Sequence, residues 1–131
     1  MPTSTVEITA ANFEGYVQNG IVLLDWGAPW CGPCRVFAPT YEEVARRHPD
    51  IVFGTIDTQA QTALTAAYNV RVIPMLMVIR DGILLFAKPG VRSAAALEDL
   101  VSEVRALDIA ALRRKAAETN AHLRALATAA T

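Results

Sequence analysis

Both cysteines of this 131-residue chain lie in one five-residue segment, WCGPC at residues 30–34. An apolar run at residues 21–24 precedes the segment and predicts a buried strand, and residues 35–48 after it predict a helix. Two cysteines three positions apart on a first helical turn can bring their Cβ atoms within the ~4 Å that a disulfide requires. The spacing therefore predicts that Cys31 and Cys34 form a redox-active disulfide at a helix N-terminus.

The two thiols are predicted to take different roles. Unpaired N–H groups and the helix dipole favour a thiolate at the start of a helix, where such thiols reach pKa values of about 3.5–7.5 instead of roughly 8.5. Cys31 is nearer the helix end and is assigned as the nucleophile, whereas Cys34 is expected to be shielded and to act as the resolving thiol. Pro33 suits this position because its fixed φ matches an early helical residue.

Two cysteines at this spacing can also supply half of a structural zinc site. Such a site needs four ligands, and the other soft candidates are His48 and His122, which lack the spacing of a zinc finger. Both histidines are expected to be solvated surface residues. The sequence therefore favours redox chemistry and no metal.

A carboxylic acid, Asp25, ends the apolar strand six residues before Cys31. Burying an ionised carboxylate is unfavourable, so this side chain is expected to have a raised pKa or to find a partner. A carboxyl group placed there can exchange a proton with Cys34 when that thiol becomes a nucleophile. The alternative is that Asp25 reaches solvent or a backbone donor and has no catalytic role.

Residues 25–35, DWGAPWCGPCR, resemble the active-site segment of the thioredoxins, a family of small thiol–disulfide reductases. Further matches extend the resemblance over roughly residues 4–106, at Pro39, Ile73, Pro74, Asp81, Gly82, Lys88, Pro89 and Gly90. The resemblance implies reduction of client-protein disulfides in cell redox homeostasis, with Asp25 transferring the proton. It also implies that electrons come from an NADPH-dependent thioredoxin reductase and that no cofactor is bound.

The resemblance implies a client-binding groove around the cysteines. In the family, the proline that corresponds to Pro74 is cis and lies against the cysteine pair, and the backbone before it pairs with an extended client segment. The residues that line the groove by this resemblance are Trp30, Gly32, Pro33, Ile73, Pro74, Gly90 and Val91. From the residues alone, Trp30 could instead be a half-buried core aromatic.

Three positions depart from the family pattern. Gly27 stands where the family has an aromatic residue beneath the active site, and Trp26 is expected to replace it only in part. Thr55 replaces a buried lysine near the aspartate, and Met75 replaces a threonine after the cis-proline. These changes leave open an alternative, in which the chain is a dedicated thioredoxin-like oxidoreductase for one client.

The order of strand and helix signals predicts an α/β domain over residues 1–107. Its thioredoxin fold would have a central mixed sheet of about five strands with helices on both faces. Thr9 is expected to cap the first helix and Ser93 a later one. The helix after the cysteines is expected to bury one stripe of side chains, namely Val36, Phe37, Tyr41, Val44 and Ala45.

Residues 108–131 extend beyond the usual length of the family and predict an extra helix, with Asp108 as a candidate cap. Apolar residues spaced by three and four form one stripe along it, at Ile109, Leu112, Ala116, Leu123 and Leu126. We expect this tail to pack on its own domain or to fray at its end. The alternative is a partner-binding helix that also supports a weak oligomer.

The composition agrees with a soluble, cytoplasmic globule. Hydrophobic residues make up 53% of the chain and the net charge is −1, which does not favour nucleic acid or an anionic membrane as a partner. No apolar run approaches the ~18 residues of a membrane span, and the first residues do not resemble a signal peptide. With both cysteines in one motif, none remains for a structural disulfide, which fits a reducing compartment.

Overall fold

The computed structural model describes residues 3–129. Five strands and five helices occur along this part of the chain, in the order β1 (Thr5–Glu7), α1 (Phe13–Val17), β2 (Ile21–Gly27), α2 (Gly32–Arg47), β3 (Val52–Asp57), α3 (Thr62–Ala67), β4 (Met75–Arg80), β5 (Ile83–Pro89), α4 (Ala94–Ala106) and α5 (Ile109–Ala129). The strands form one mixed sheet in the spatial order β1-β3-β2-β4-β5. The predicted α/β fold with a five-stranded mixed sheet is confirmed.

The central strand is β2, which runs parallel to β3 and antiparallel to β4. Its apolar residues are buried on both faces of the sheet, which explains why the sequence shows a continuous apolar run without alternation. Strands β4 and β5 form the predicted hairpin, and Asp81 and Gly82 at its turn both have positive φ.

Alternate residues of β2 supply two separate cores. Leu23 packs with Phe37, Tyr41 and Leu97 on the face covered by α2 and α4. Leu24 and Trp26 belong to the opposite core, on the face covered by α1 and α3. Because successive strand residues point to opposite faces, Asp25 and Gly27 lie on the α2 side of the sheet.

Helix α2 begins directly after Cys31 and carries the core residues expected of it, with one exception. Phe37, Tyr41, Val44 and Ala45 are buried, but Val36 is 68% exposed, so its predicted inward position is wrong. Val36 lies about 100° around the helix from Phe37, on the solvent side of the buried stripe.

The caps of α1 and α4 differ in outcome. The expected role of Thr9 is wrong, because the N-cap residue is Asn12, whose side chain accepts a hydrogen bond from the Thr9 N–H at 2.7 Å. The Ser93 cap is confirmed, since its hydroxyl accepts a hydrogen bond from the Ala96 N–H at 3.1 Å.

The extra helix is present as α5, and its start packs on the domain. Asp108 accepts a hydrogen bond from the Ala111 N–H at 3.0 Å, and Ile109 is buried. Leu123 and Leu126 are more than half exposed, so the apolar stripe is buried at its start and open to solvent in the later turns. Within residues 3–129, no helix is long and apolar enough to cross a membrane.

Candidate functional site

The cysteine pair occupies the junction between β2 and α2. Cys31 is the N-cap residue of α2, and its Sγ accepts a hydrogen bond from the Cys34 N–H at 3.2 Å. The two residues form a disulfide with their Cα atoms 5.2 Å apart. The structure therefore places an oxidised redox pair at the helix N-terminus, where the spacing predicted it.

The two sulfur-bearing side chains are similarly shielded. Cys34 is 8% exposed, so it is shielded as expected, and Cys31, at 4%, is also buried in this oxidised structure. Gly27 adjoins Cys34, because a Cβ at this residue would lie only 3.2 Å from the Cys34 Sγ. A side chain at position 27 would cover Cys34 further.

Asp25 lies at the base of the site, on the same face of β2 as Gly27. It is buried, and its Oδ1 has no hydrogen-bond partner among the described residues. Burial raises the pKa of Asp25 from 3.8 to about 7, as the sequence predicted. The side chain also raises the pKa of the neighbouring buried Tyr41, although the burial of that phenol is the larger cause.

The surroundings of Asp25 explain why its carboxylate is not stabilised. Thr55 is paired with Asp25 in the register between β2 and β3, and both residues line the same surface groove.

Trp26 points to the other face of the sheet, where its ring centroid lies 5.8 Å from that of Tyr68. The expectation that Trp26 partly fills the space at Gly27 is therefore wrong.

A second loop meets the cysteines from the start of β4. The Ile73–Pro74 peptide bond is cis, as the resemblance implied, and Ile73 packs against Cys31 and Cys34. The Gly90 N–H donates a hydrogen bond to the Pro74 carbonyl at 2.9 Å. This bond brings the segment that begins with Gly90 beside Pro74.

The rest of the expected groove is open to solvent. Trp30 is 62% exposed, which excludes the alternative that it is a core aromatic, and Gly32 and Pro33 are also exposed. Val91 is exposed after Gly90. The sequence interpretation missed Val72, an exposed apolar residue whose position just before Ile73 was the available signal.

The two histidines do not contribute to this site. His122 is exposed on α5, as expected. His48 is half-buried: its Nε2 lies 2.7 Å from a Glu98 oxygen, and its Nδ1 lies 3.2 Å from an Arg105 nitrogen. The expectation that His48 is a solvated residue is therefore wrong. Across residues 3–129, no group of three or more His, Cys, Asp or Glu side chains could hold a metal ion.

Comparisons with known proteins give one consistent result. The thioredoxin family model matches residues 4–103. The chain is 46% identical over 120 residues to "Putative thioredoxin 2" of Streptomyces coelicolor, covering 91% of this chain and 90% of that protein. It is 37% identical over 101 residues to the thioredoxin of Bacillus subtilis, covering 75% of this chain and 95% of that protein.

A solved structure agrees with these sequence relatives. The chain is similar to a mutant thioredoxin from Halobacterium salinarum, with a TM-score of 0.74 and 28% identity, covering 82% of this chain and 97% of the other. Thioredoxins use a redox-active disulfide and no bound cofactor, which agrees with the Cys31–Cys34 disulfide found here. The chain therefore belongs to the thioredoxin family and is a protein thiol–disulfide oxidoreductase.

Proposed function

We propose that this chain reduces client-protein disulfides through attack by Cys31 and release by Cys34. The observation that carries the proposal is the position of Cys31 as the N-cap of α2, where helical N–H groups favour its thiolate. The Cys31 thiolate attacks one client sulfur, and one client thiolate leaves. The Cys34 thiolate then attacks the Cys31 sulfur, which releases the second client thiolate and forms the Cys31–Cys34 disulfide.

Asp25 is proposed to accept the Cys34 proton before the second attack. With its pKa raised to about 7 by burial, the carboxyl group exists in comparable amounts of both protonation states near neutral pH. A group that titrates close to the working pH can both accept and return a proton. The unpartnered Oδ1 supports this role, because no hydrogen bond from the described residues holds that oxygen in one state.

Clients are proposed to bind on the exposed surface around the cis-proline. The set consists of the residues that the family resemblance assigns, Trp30, Gly32, Pro33, Ile73, Pro74, Gly90 and Val91. Exposed Trp30 and Val91 supply apolar contact area, and the Ile73 backbone is proposed to pair with an extended client segment. Backbone pairing reads little sequence, so such a surface accepts clients of varied sequence.

Thioredoxins generally work with a thioredoxin reductase and with disulfide-containing clients. For this chain we propose an NADPH-dependent reductase as the electron donor and the cytoplasm as its location. A reducing compartment supports this proposal, because both cysteines are in the catalytic pair and must be returned to dithiols after each cycle. Nucleic acid and membranes are not among the proposed partners.

The tail supports a second, additional function. We divide the chain into a thioredoxin domain at residues 1–107 and a helical extension at residues 108–131. Exposed Leu123 and Leu126, together with four cationic residues against one acidic residue on α5, favour a partner-binding helix or a weak oligomer. Sedimentation of the full chain and of a chain cut after Leu107 measures the association state of each, and the same association state and partner binding in both would contradict this role.

The experiment for the main proposal is turnover of insulin disulfides with NADPH and thioredoxin reductase. The wild-type chain is expected to sustain NADPH oxidation, and Cys31→Ser is expected to abolish it. Turnover that survives Cys31→Ser would overturn the assignment of the nucleophile. A dedicated oxidoreductase, the alternative suggested by Gly27, Thr55 and Met75, would instead show a strongly oxidising reduction potential or turnover with one client alone.

A further inference from the structure

A groove with a volume of about 330 Å³ opens beside the cysteine pair, and its lining includes Cys34 but not Cys31. Its walls come from the ends of β2 and β3 and the start of α2, and they include Asp25, Gly27, Cys34, Arg35, Thr55 and Asp57. None of the seven residues proposed to bind clients belongs to this lining. The groove is therefore a separate surface that reaches only the resolving cysteine.

Gly27 is the residue that keeps this route open. A Cβ at position 27 would lie 3.2 Å from the Cys34 Sγ and 3.4 Å from the Cys34 Cβ. Any larger side chain would extend from that point into the space next to the sulfur. Cys34 is itself 8% exposed, and it lines this groove, whereas Cys31 does not.

A buried polar group marks the groove as a site for a polar molecule. Asp25 is more than nine-tenths buried, lines the groove and has no partner for its Oδ1 among the described residues. No side chain of the described residues compensates the charge of this carboxyl group when it is ionised, so a positively charged group in the groove is attracted to it.

The charges of the lining favour a cationic molecule. Glu7, Asp57 and Asp25 contribute carboxyl groups, whereas Arg35 contributes the one cation among the lining residues. The Asp57 carboxylate also accepts a hydrogen bond from the Gln59 N–H at 2.9 Å. A small ligand with an ammonium group therefore complements this surface better than a carboxylate does.

We propose that Cys34 is a second reaction site, at which low-molecular-weight disulfides bearing ammonium groups react through the Gly27 groove. The inference rests on the proposed function only for the final step, in which the two cysteines close. It adds a class of small-molecule substrate to the proposed protein clients, and it makes the resolving cysteine the first thiol to attack a substrate disulfide.

The reaction conserves atoms and electrons. The Cys34 thiolate attacks one sulfur of R–S–S–R, a Cys34–S–S–R bond forms, and one R–S⁻ leaves. The Cys31 thiolate then attacks the Cys34 sulfur, the second R–S⁻ leaves, and the Cys31–Cys34 disulfide closes. The protein gives up two electrons, and the protons of its two thiols are available to the two released thiolates.

The test uses the Cys31→Ser chain, in which Cys34 is the single thiol, and cystamine as the small disulfide. Mass spectrometry measures the rate at which the mixed disulfide forms on Cys34 at pH 8. The rate for each folded chain is divided by the rate for the same chain unfolded in denaturant, and the quotient is the normalised rate. We expect Cys34 in the folded chain to react within about tenfold of the unfolded rate. When Gly27→Leu is added to Cys31→Ser, we expect the normalised rate of Cys34 modification to fall by about a further tenfold. Gly15→Leu is the control, because Gly15 is exposed with open space around it, and we expect it to leave this rate unchanged.

A matched series of disulfides tests the charge preference. Cystamine, bis(2-hydroxyethyl) disulfide and 3,3′-dithiodipropionate carry ammonium, hydroxyl and carboxylate groups on similar short chains. We expect normalised rates to fall in that order, with about threefold between the first and the last at low salt, and Glu7→Gln to reduce this ratio. Equal normalised rates for all three would overturn the ammonium preference.

Folding of the variants is checked by thermal unfolding, and Gly27→Ala provides a smaller obstruction if Gly27→Leu does not fold. If Cys34 is modified as fast in the folded variant with a side chain at position 27 as in the chain that keeps Gly27, the route through the groove is overturned. These measurements involve no turnover, so they stay separate from the insulin assay. If the wild-type chain does not reduce insulin but Cys34 is modified rapidly, the proposed function alone is rejected. If the wild-type chain reduces insulin but Cys34 is not modified rapidly, this inference alone is rejected.

Discussion

Asp25 and Thr55 are neighbours in the parallel register of β2 and β3, and Asp25 nonetheless has an oxygen without a hydrogen-bond partner among the described residues. The side chain next to the acid is a neutral hydroxyl, so no adjacent cation on β3 offsets the burial of the carboxylate. The pKa of Asp25 is accordingly raised to about 7, and burial is its cause. The stability and the proton chemistry of the site both depend on this burial.

The first prediction concerns the stability of the oxidised chain. Because the pKa of Asp25 is higher in the folded chain than in the unfolded chain, the folded state binds more protons between about pH 4 and 7. This group therefore lowers stability as pH rises through that window, by on the order of 4 kcal/mol in full. Denaturant unfolding of Asp25→Asn is expected to show little gain at pH 4 and a gain of that order at pH 9. An equal difference at both pH values would contradict a raised pKa.

The second prediction restores a cation beside the acid. Thr55→Lys places an ammonium group on the strand next to Asp25, and an opposite charge favours the ionised carboxylate. We expect the pKa of Asp25 to fall below about 7. The measurement is the pH titration of the Asp25 carboxyl carbon by NMR. Thr55→Met is the control of similar length without charge, and a fall of the same size in that variant would rule out the electrostatic cause.

The third prediction compares two glycines outside the cysteine motif. A Cβ at Gly54 would lie 2.6 Å from the Cγ1 atom of Ile8, which is itself fully buried. Gly54→Ala is therefore expected to destabilise the chain by about 1–3 kcal/mol. Gly15→Ala, where nothing lies within 4 Å, is expected to stabilise α1 by up to about 1 kcal/mol. Urea unfolding measures both, and equal effects of the two substitutions would contradict this account of packing at Gly54.

Much of this architecture could be predicted from local sequence. The apolar run of β2, the turn at Asp81 and Gly82 and the Ser93 cap are set by neighbouring residues, and each occurs where expected. The cysteine pair is likewise set by residues close together in sequence, because its spacing fixes where the disulfide lies relative to α2.

The wrong expectations concern contacts between distant residues. His48 is held by Glu98, fifty positions later, so nothing near it in sequence indicated a partner. The direction of Trp26 depends on the face that β2 presents to α2, and a one-residue step reverses that face. Access to Cys34 depends on the absence of a side chain at Gly27, which has a consequence only once the strand and helix are placed together.

The fourth prediction concerns the helical extension. Ile109 is buried and Arg80 donates hydrogen bonds to the carbonyls of Val104 and Leu107, so the junction of α4 and α5 is part of the domain. The residues after Leu112 are mostly exposed. A chain that ends at Leu112 is expected to have a free energy of unfolding within about 0.5 kcal/mol of that of the full chain and to retain insulin reduction.

The matched control is a chain that ends at Leu107. It lacks Ile109 and is expected to lose about 1–3 kcal/mol, because a buried isoleucine side chain is removed. Similar losses in both truncated chains would mean that the later turns of α5 also stabilise the domain.

The central claim, that Cys31 attacks protein clients and Cys34 resolves, is tested most directly by trapping a mixed disulfide. Reduced Cys34→Ser and Cys31→Ser chains are each mixed with insulin, quenched with acid and mapped by mass spectrometry. The account predicts that Cys34→Ser accumulates insulin attached to Cys31, whereas Cys31→Ser accumulates none on the same timescale. Insulin attached to Cys34 in the Cys31→Ser chain, at a rate equal to that of the Cys31 adduct, would contradict it.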